Sequence, residues 1–320
     1  MREARAVLFI IDVEPDARKT RKGSGGWEAS EAALEHVERL RAELEKATGS
    51  EVKLNWFLRA DPQIGQTWGR ADWVAEACPQ IIRTIADRRD YSGIHPHLWR
   101  WHPRRREWFT ELNDPSWTSE CLHTAISAYS KIFGRRPDAC RFGDRWLDQR
   151  TVQLLRELGF QFDLTLEPGL PDTPIHDDPH ATAWLPDYRP APRYPYVPSN
   201  ENFLAPTEEP IEENALWMLP LSTTIPAWRL VRRLPYVVNA SRSPNLALSS
   251  RYVWPHIRRE LEKESPAPLS IVLRSGDLSD HVFLRNFLRT TGELVRHPGL
   301  GRCEFTTPDV AVARWKARLA

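Results

Sequence analysis

The chain has 320 residues, room for one large α/β domain or two modest ones, and its net charge of +1 gives no electrostatic case for nucleic acid. The four cysteines, Cys78, Cys121, Cys140 and Cys303, are widely spaced with no C-x-x-C and read as free thiols of a reducing compartment. Acids follow the first apolar run at once (Asp12-Val13-Glu14) and no run nears membrane-spanning length, so the expectation is a cytoplasmic protein with no signal peptide and no membrane partner.

Val7–Val13 is apolar and β-branched except at Asp12, which predicts a buried parallel strand. An acid inside such a strand is costly unless it has a partner or a job. Arg18–Gly26 is a polar, glycine-rich loop. Trp27–Ala47 has helical periodicity, with Ala33, Leu34, Val37, Leu40 and Leu44 on one face. Val52–Leu58 is a second strand running into Arg59-Ala60-Asp61-Pro62-Gln63, where Arg59, Asp61 and Gln63 face the mouth and are polar enough to bind hydroxyl groups, although a simple loop is the safer reading. Trp73–Asp87 is a helix restarted at Pro79. The stretch Tyr91–His102 then holds three of the chain's ten histidines. Ser92–Ile94 is its strand, stopped by Pro96, so His95 sits at the C-terminal tip, where barrels of alternating strands and helices build chemistry. His95 and His97, two apart in extended chain, can lean toward one cation. Such a pair needs one further carboxylate to make a three-ligand site with an open position.

Pro103–Asp114 reads as a basic, irregular connection. Ser116–Phe133 is a helix ended by Gly134, Ala139–Phe142 a short strand, Asp148–Leu158 a helix capped by Gly159, and Phe160–Leu166 the fifth strand. The repeated strand–loop–helix rhythm predicts a parallel sheet or an α/β barrel. Glu167–Glu213 breaks it, with 11 of the 27 prolines. Its aromatic residues, Trp184, Tyr188, Tyr194, Tyr196 and Phe203, argue for an ordered insertion over the barrel mouth. The rhythm resumes with strands at Leu216–Leu221, Leu269–Leu273 and Cys303–Thr306 and helices at Tyr252–Glu264, Asp280–Val295 and Pro308–Leu319. Gly23-Ser24-Gly25-Gly26 lacks the residues of a phosphate-binding loop, and no G-x-S-x-G elbow occurs.

Five motifs follow one another over nearly the whole chain: F-I-I-D-V-E-P-D, G-I-H-P-H, C-R-F-G-D-R-W, L-L-R-E-L-G-F-Q-F-D and W-M-L-P-L-S. In this order they resemble the polysaccharide deacetylase (NodB-homology) family, the carbohydrate esterase family 4 group. The resemblance implies a distorted (β/α) barrel of seven or eight strands, one domain over residues 1–320 with the proline-rich insertion at 167–213. It implies a metal-dependent hydrolase that removes an N- or O-acyl group from a carbohydrate, with a divalent ion, zinc first. Asp12 falls on the catalytic base and Arg141 on the arginine that braces it. The metal ligand falls on Glu14, two residues beyond Asp12; positions i and i+2 of a strand share a face. The other reading of Glu14 is a loop residue near Arg18.

The sequence departs from the family's H-x-x-x-H, since Trp99 stands four residues after His95. The second histidine ligand then falls to His97, with His102 folding back as the alternative. Asp144 and Trp146 line the substrate groove, unless Trp146 is core. Asp163 matches an acid that tunes a distant catalytic group, or simply caps a helix. In the last motif Arg274 takes the place of a histidine general acid. Arginine does not release a proton near neutral pH but can stabilise developing negative charge, which leaves Asp277 or His281 as proton donor. These departures support a reading of another class, a catalytically degenerate barrel that binds carbohydrate or a protein partner. The sequence does not set the oligomeric state.

Overall fold

The structure, a computed structural model, describes residues 4–20, 26–175, 178–224 and 243–319. The predicted loop Arg18–Gly26 and its glycine run lie partly outside them. The first strand, β1 (Arg5–Val13), is followed by α1 (Glu28–Thr48), β2 (Asn55–Leu58), α2 (Pro62–Trp68), α3 (Val74–Ala77), α4 (Pro79–Arg88) and β3 (Tyr91–Ile94). Then come β4 (Trp99–His102), β5 (Glu107–Thr110), α5 (Pro115–Phe133), β6 (Ala139–Cys140), α6 (Gln149–Glu157), β7 (Phe162–Asp163) and β8 (Trp217–Met218). The chain closes with α7 (Ser250–Glu262), β9 (Leu269–Arg274), α8 (His281–Val295), β10 (Cys303–Phe305) and α9 (Pro308–Leu319).

All strands but β4 and β5 form one sheet, and every pairing in it is parallel. Val7 pairs with both Phe305 of β10 and Leu269 of β9, so these strands flank β1 on opposite edges. β2 continues the β10 edge higher up, pairing Ile10–Val13 with Asn55–Leu58. From β2 the sheet runs through β3, β6 and β7 to β8. Just past β8, the Ser222 hydroxyl accepts from the Ser270 amide of β9 at 3.0 Å, which brings the far edge back and curls the sheet into a distorted (β/α) barrel.

Strand parity sorts the side chains. Ala6, Leu8 and Ile10 of β1 pack with Phe57, Ala139, Phe162, Trp217 and Val272 inside the barrel, closed below by Ala311, Val312 and Trp315 of α9. Val7, Phe9, Ile11 and Val13 face outward onto α1, whose stripe Ala33, Val37, Leu40 and Leu44 is buried against them. The same two-residue period carries Asp12 and Glu14 inward, and likewise Arg59, His95, Arg141 and Arg274 on the neighbouring strands. A polar layer therefore caps an apolar one at the C-terminal ends of the strands, the end where barrel sites are built.

Two elements differ from expectation. Pro103–Asp114 is no irregular connection: β4 and β5 form an antiparallel hairpin, pairing Trp101 with Trp108, with the basic residues Arg104, Arg105 and Arg106 at its tip. Charge at the tip masked the alternation of the strands. The Arg59–Gln63 strand end turns at once into α2, because the Asp61 carboxylate caps it by accepting from the Ile64 amide and Pro62 sits at its first position.

The described parts of the 167–213 segment occupy the place of the missing helix between β7 and β8. Leu170, Ile175, Leu185, Tyr188, Tyr196 and Phe203 pack with Phe142 and Leu147 and with Val152 and Leu155 of α6. The segment is a side wall: it touches the β4–β5 hairpin through Asp178 and Thr110, and reaches the base of the barrel where Tyr194 stacks on Trp315 at 5.5 Å. No helix among the described residues is long and apolar enough to cross a membrane.

Candidate metal centre

Glu14, His95 and His97 form a triangle of buried candidate ligands within the polar layer, one ligand atom from each lying within 4.8 Å of the others. His95 Nε2 is 3.3 Å from Glu14 Oε1, His97 Nε2 is 3.3 Å from Glu14 Oε2, and the two Nε2 atoms are 3.3 Å apart. Two ligands about 2.0–2.1 Å from a tetrahedral ion stand about 3.3–3.4 Å from each other, so the spacing of the two Nε2 atoms matches one edge of a tetrahedral zinc site, with a Glu14 oxygen close to each. The donor set, two imidazoles and a carboxylate, suits zinc and other first-row ions.

The imidazoles are turned to offer Nε2. His95 Nδ1 lies 2.7 Å from the Arg141 carbonyl, which only accepts, so Nδ1 carries the proton. His97 Nδ1 lies 3.0 Å from Asp144 Oδ2 and 3.1 Å from Trp99 Nε1. One nitrogen cannot donate to the carboxylate and accept from the indole at once. Asp144 is paired with Arg18, and although burial works against it, Arg18 and His97 hold its pKa well below the usual carboxylate range. An ionised carboxylate only accepts, so His97 Nδ1 donates to it. Burial and Arg59 lower the His97 pKa, but Asp144 and Glu14 outweigh them and raise it.

Glu14 is buried, yet Arg274 and His97 pull its pKa well below the ordinary value against the effect of burial. Arg274 Nε is 3.1 Å from Oε1 and an Arg59 terminal nitrogen 3.2 Å from Oε2. Asp12 stands beside this set. Arg141 grips it with two bonds, 2.7 Å to Oδ1 and 3.0 Å to Oδ2, and His95 Nδ1 is 3.8 Å from Oδ1.

The position of His97, rather than a histidine four residues after His95, has a local cause. Asp61 accepts from the His97 amide at 3.0 Å and from Arg59 Nε at 3.0 Å, tying H-P-H to the start of α2. On the other side, a Cβ on Gly143 would lie 2.1 Å from His97 Nε2, so only glycine lets the imidazole lie against the chain. Asp144 and Arg145 follow at φ 54° and 63°, a left-handed pair that aims the Asp144 carboxylate back at His97. Gly143→Ala is expected to push His97 out of the triangle and weaken zinc binding by about 10–100-fold, measured by competition with a chromogenic chelator. Unchanged affinity would show that His97 is not a ligand.

The structure thus brings together Asp12, Glu14, His95, His97, Arg141, Arg274 and Asp144. It places four other expected residues differently. Arg59 and Asp61 are fully buried and bonded to Glu14, His97, Gln63 and each other, so they brace the ligands instead of meeting sugar hydroxyls. Trp146 is packed among Ile94, Phe142 and Leu147 in the outer core, which answers its alternative reading. His102 pairs with Glu107 in the hairpin, away from the triangle. The roles of Arg18, Arg59 and Gly143 were missed. The glycine inside C-R-F-G-D was the available signal for a close approach.

Asp163 sits behind this layer, its carboxylate accepting from the Thr165 amide and hydroxyl at 2.9 and 2.8 Å. Full burial raises its pKa to about 7, against the hydrogen bonds of Thr165 and the charge of Arg141. A carboxyl raised in the folded state favours folding below its unfolded pKa, and that contribution is lost as pH rises. Stability should fall by on the order of 4 kcal/mol between about pH 4 and 7 from this group. Urea unfolding of Asp163→Asn across that window should lack this slope; a slope equal to wild type would assign it elsewhere.

No family model matches the chain, and no curated protein sequence matches it. Solved structures do match. A protein assigned as a polysaccharide deacetylase from Mycobacterium smegmatis superposes with a TM-score of 0.54 at 16% identity, over 100% of this chain and 94% of that one. The chain has the distorted barrel fold of the NodB type. A protein assigned as a glycoside hydrolase/deacetylase from Parabacteroides distasonis gives 0.60 at 13% identity, over 98% of this chain and 72% of the other. The allantoinase PuuE gives 0.56 at 15% identity, over 98% and 91%. An allantoinase among them shows that this barrel is not tied to one substrate.

Proposed function

We propose that the chain is a single-domain, divalent-metal-dependent hydrolase that removes an N- or O-acyl group from a carbohydrate, with zinc held by Glu14, His95 and His97. The observation that carries this reading is the convergence of Glu14, His95 and His97, with one ligand atom from each within 4.8 Å of the others, set beside an arginine-braced Asp12. When bound, the ion would supply a Lewis acid for the acyl carbonyl and the attacking water. Asp12 acts as general base. Arg141 fixes both its oxygens but leaves lone pairs on each free to take a proton. Arg274, at the tip of β9, offers positive charge to the developing oxyanion. Its NH1 is 3.3 Å from Asp277 Oδ1. Burial raises the Asp277 pKa to about 6; Arg274 opposes this, and Glu14 and Asp12 add to it. Asp277 is then the proton donor to the leaving group, and the rate should fall as pH rises beyond about 6; an Asp277→Asn variant with the same pH profile would remove it from that role. The four free, buried cysteines support a cytoplasmic location.

One observation favours a second reading, a barrel that binds carbohydrate without hydrolysis. Arg59 and Arg274 already occupy both Glu14 oxygens, so the buried carboxylate is neutralised by the chain itself. Metal content of the purified chain, measured with acetate release from acetylated oligosaccharides, separates the two. Stoichiometric zinc with acetate release is expected. Neither, even with zinc added, would favour the binding module.

A further inference from the structure

Both oxygens of Glu14 are already held by cations. An Arg59 terminal nitrogen reaches Oε2 at 3.2 Å and Arg274 Nε reaches Oε1 at 3.1 Å. The same two oxygens stand 3.3 Å from His97 Nε2 and His95 Nε2. Glu14, His95 and His97 are all buried, so a divalent ion held by them would put two further positive charges beside two guanidinium groups in a layer shut off from water. Like charges repel strongly at such range where the dielectric is low. For the ion to bind, one arginine has to loosen its hold on Glu14.

The two arginines are not equally free to do so. Arg59 is fully buried, with Nε donating to Asp61 Oδ2 at 3.0 Å and a terminal nitrogen to Gln63 Oε1. Asp61 is fully buried too, and it is fixed by the amides of Ile64 and His97. Moving Arg59 would break this set and leave charge buried and unmatched. Arg274 ends β9, and its side chain is 24% exposed. Its NH1 is 3.3 Å from Asp277 Oδ1 and its NH2 3.3 Å from the Pro15 carbonyl. It can release Glu14 Oε1 while keeping both of these bonds.

We infer that Arg274 competes with the metal ion for Glu14: it neutralises the carboxylate in the metal-free chain, releases Oε1 when the ion binds, and so lowers the affinity of the centre. The inference rests on the metal-centre reading. Affinity falls by the strength of the bond that has to be given up, since a ligand can shift a two-state arrangement only by its differential interaction with the two states. Under the hydrolase reading the lost affinity has a use, because the released guanidinium stays at the strand tip, where it faces the developing oxyanion.

Competition of the full chain with a chromogenic chelator measures zinc affinity for wild type, Arg274→Met, Arg274→Gln and Arg274→Lys. Removing a residue that merely supports metal ligands weakens binding, commonly by about 10–100-fold. Competition reverses the sign. The Met and Gln variants should bind zinc about 10–100-fold tighter, and Lys, which keeps the charge, should stay closer to wild type than either. Arg274→Gln retains a donor for Asp277 and the Pro15 carbonyl and serves if Arg274→Met fails to fold. Denaturant melts give a second readout: metal-free Arg274→Met should unfold earlier than wild type, and zinc should raise its midpoint by more. Equal or weaker zinc binding by both neutral variants, with stoichiometric zinc on wild type, would overturn the competition and leave the metal centre standing. Zinc on the neutral variants but not on wild type would be the competition in its strongest form. No zinc on any of the four proteins would remove the metal centre, and the inference with it.

Discussion

Asp12→Asn is expected to reduce acyl release by about 10²–10⁴-fold while leaving zinc content unchanged. Asparagine keeps the shape of the side chain and one acceptor oxygen for Arg141, so the inner layer of the barrel should stay in place. What it loses is the ability to take a proton. Asp12 is outside the ligand set, with its Oδ1 3.8 Å from His95 Nδ1, the ring nitrogen turned away from the other ligands. The variant therefore separates base from ligand. Steady-state acetate release and metal analysis on the same preparations decide it: equal release by both proteins would exclude Asp12 as the base, and loss of zinc would make it a ligand.

The second large effect is expected at Glu14. Glu14→Gln should abolish stoichiometric zinc uptake and, with no metal present, destabilise the fold by about 3–5 kcal/mol, because Arg59 and Arg274 are left without the carboxylate between them. The sign with pH follows from the depressed Glu14 pKa. Its contribution is present above the unfolded carboxylate value and is lost as pH falls through the folded one, so the gap between wild type and variant should close in acid. Denaturant melts of the metal-free proteins at neutral and acid pH measure this. A variant as stable as wild type at neutral pH would mean that Asp61 and Asp277, which Arg59 and Arg274 also meet, suffice to balance the two arginines. Retained zinc would remove Glu14 from the ligand set.

Much of the fold was legible because its physics is local. The run Val7–Val13, the period of α1 and the helix restart at Pro79 all follow from patterns within one turn or one strand. The shared face of Asp12 and Glu14 was legible from parity, and it is what puts an acid pair at the mouth. Arg59 and Arg274 were visible as strand-tip residues, but their convergence on Glu14 depends on the register of β2 and β9 against β1, which no local pattern encodes. The same holds for Arg18 on Asp144, where the partners meet across the chain. The β4–β5 hairpin was hidden by Arg104, Arg105 and Arg106, which read as loop although only its tip is basic. The α2 start was a missed local signal, since Asp61-Pro62 is a cap followed by a proline at the first helical position.

The pairing of β1 also governs when the protein can become itself. The strand carries Asp12 and leads into Glu14, and it is made well before β9 and β10, which flank it. Contacts of such long sequence separation form slowly, and a nascent chain must carry a strongly apolar strand without these partners until β9 and β10 have been made. A chain truncated before β9 would retain Asp12, Glu14, His95 and His97, but its first strand would lack the edge that holds it, leaving an adhesive surface for aggregation or for chaperones.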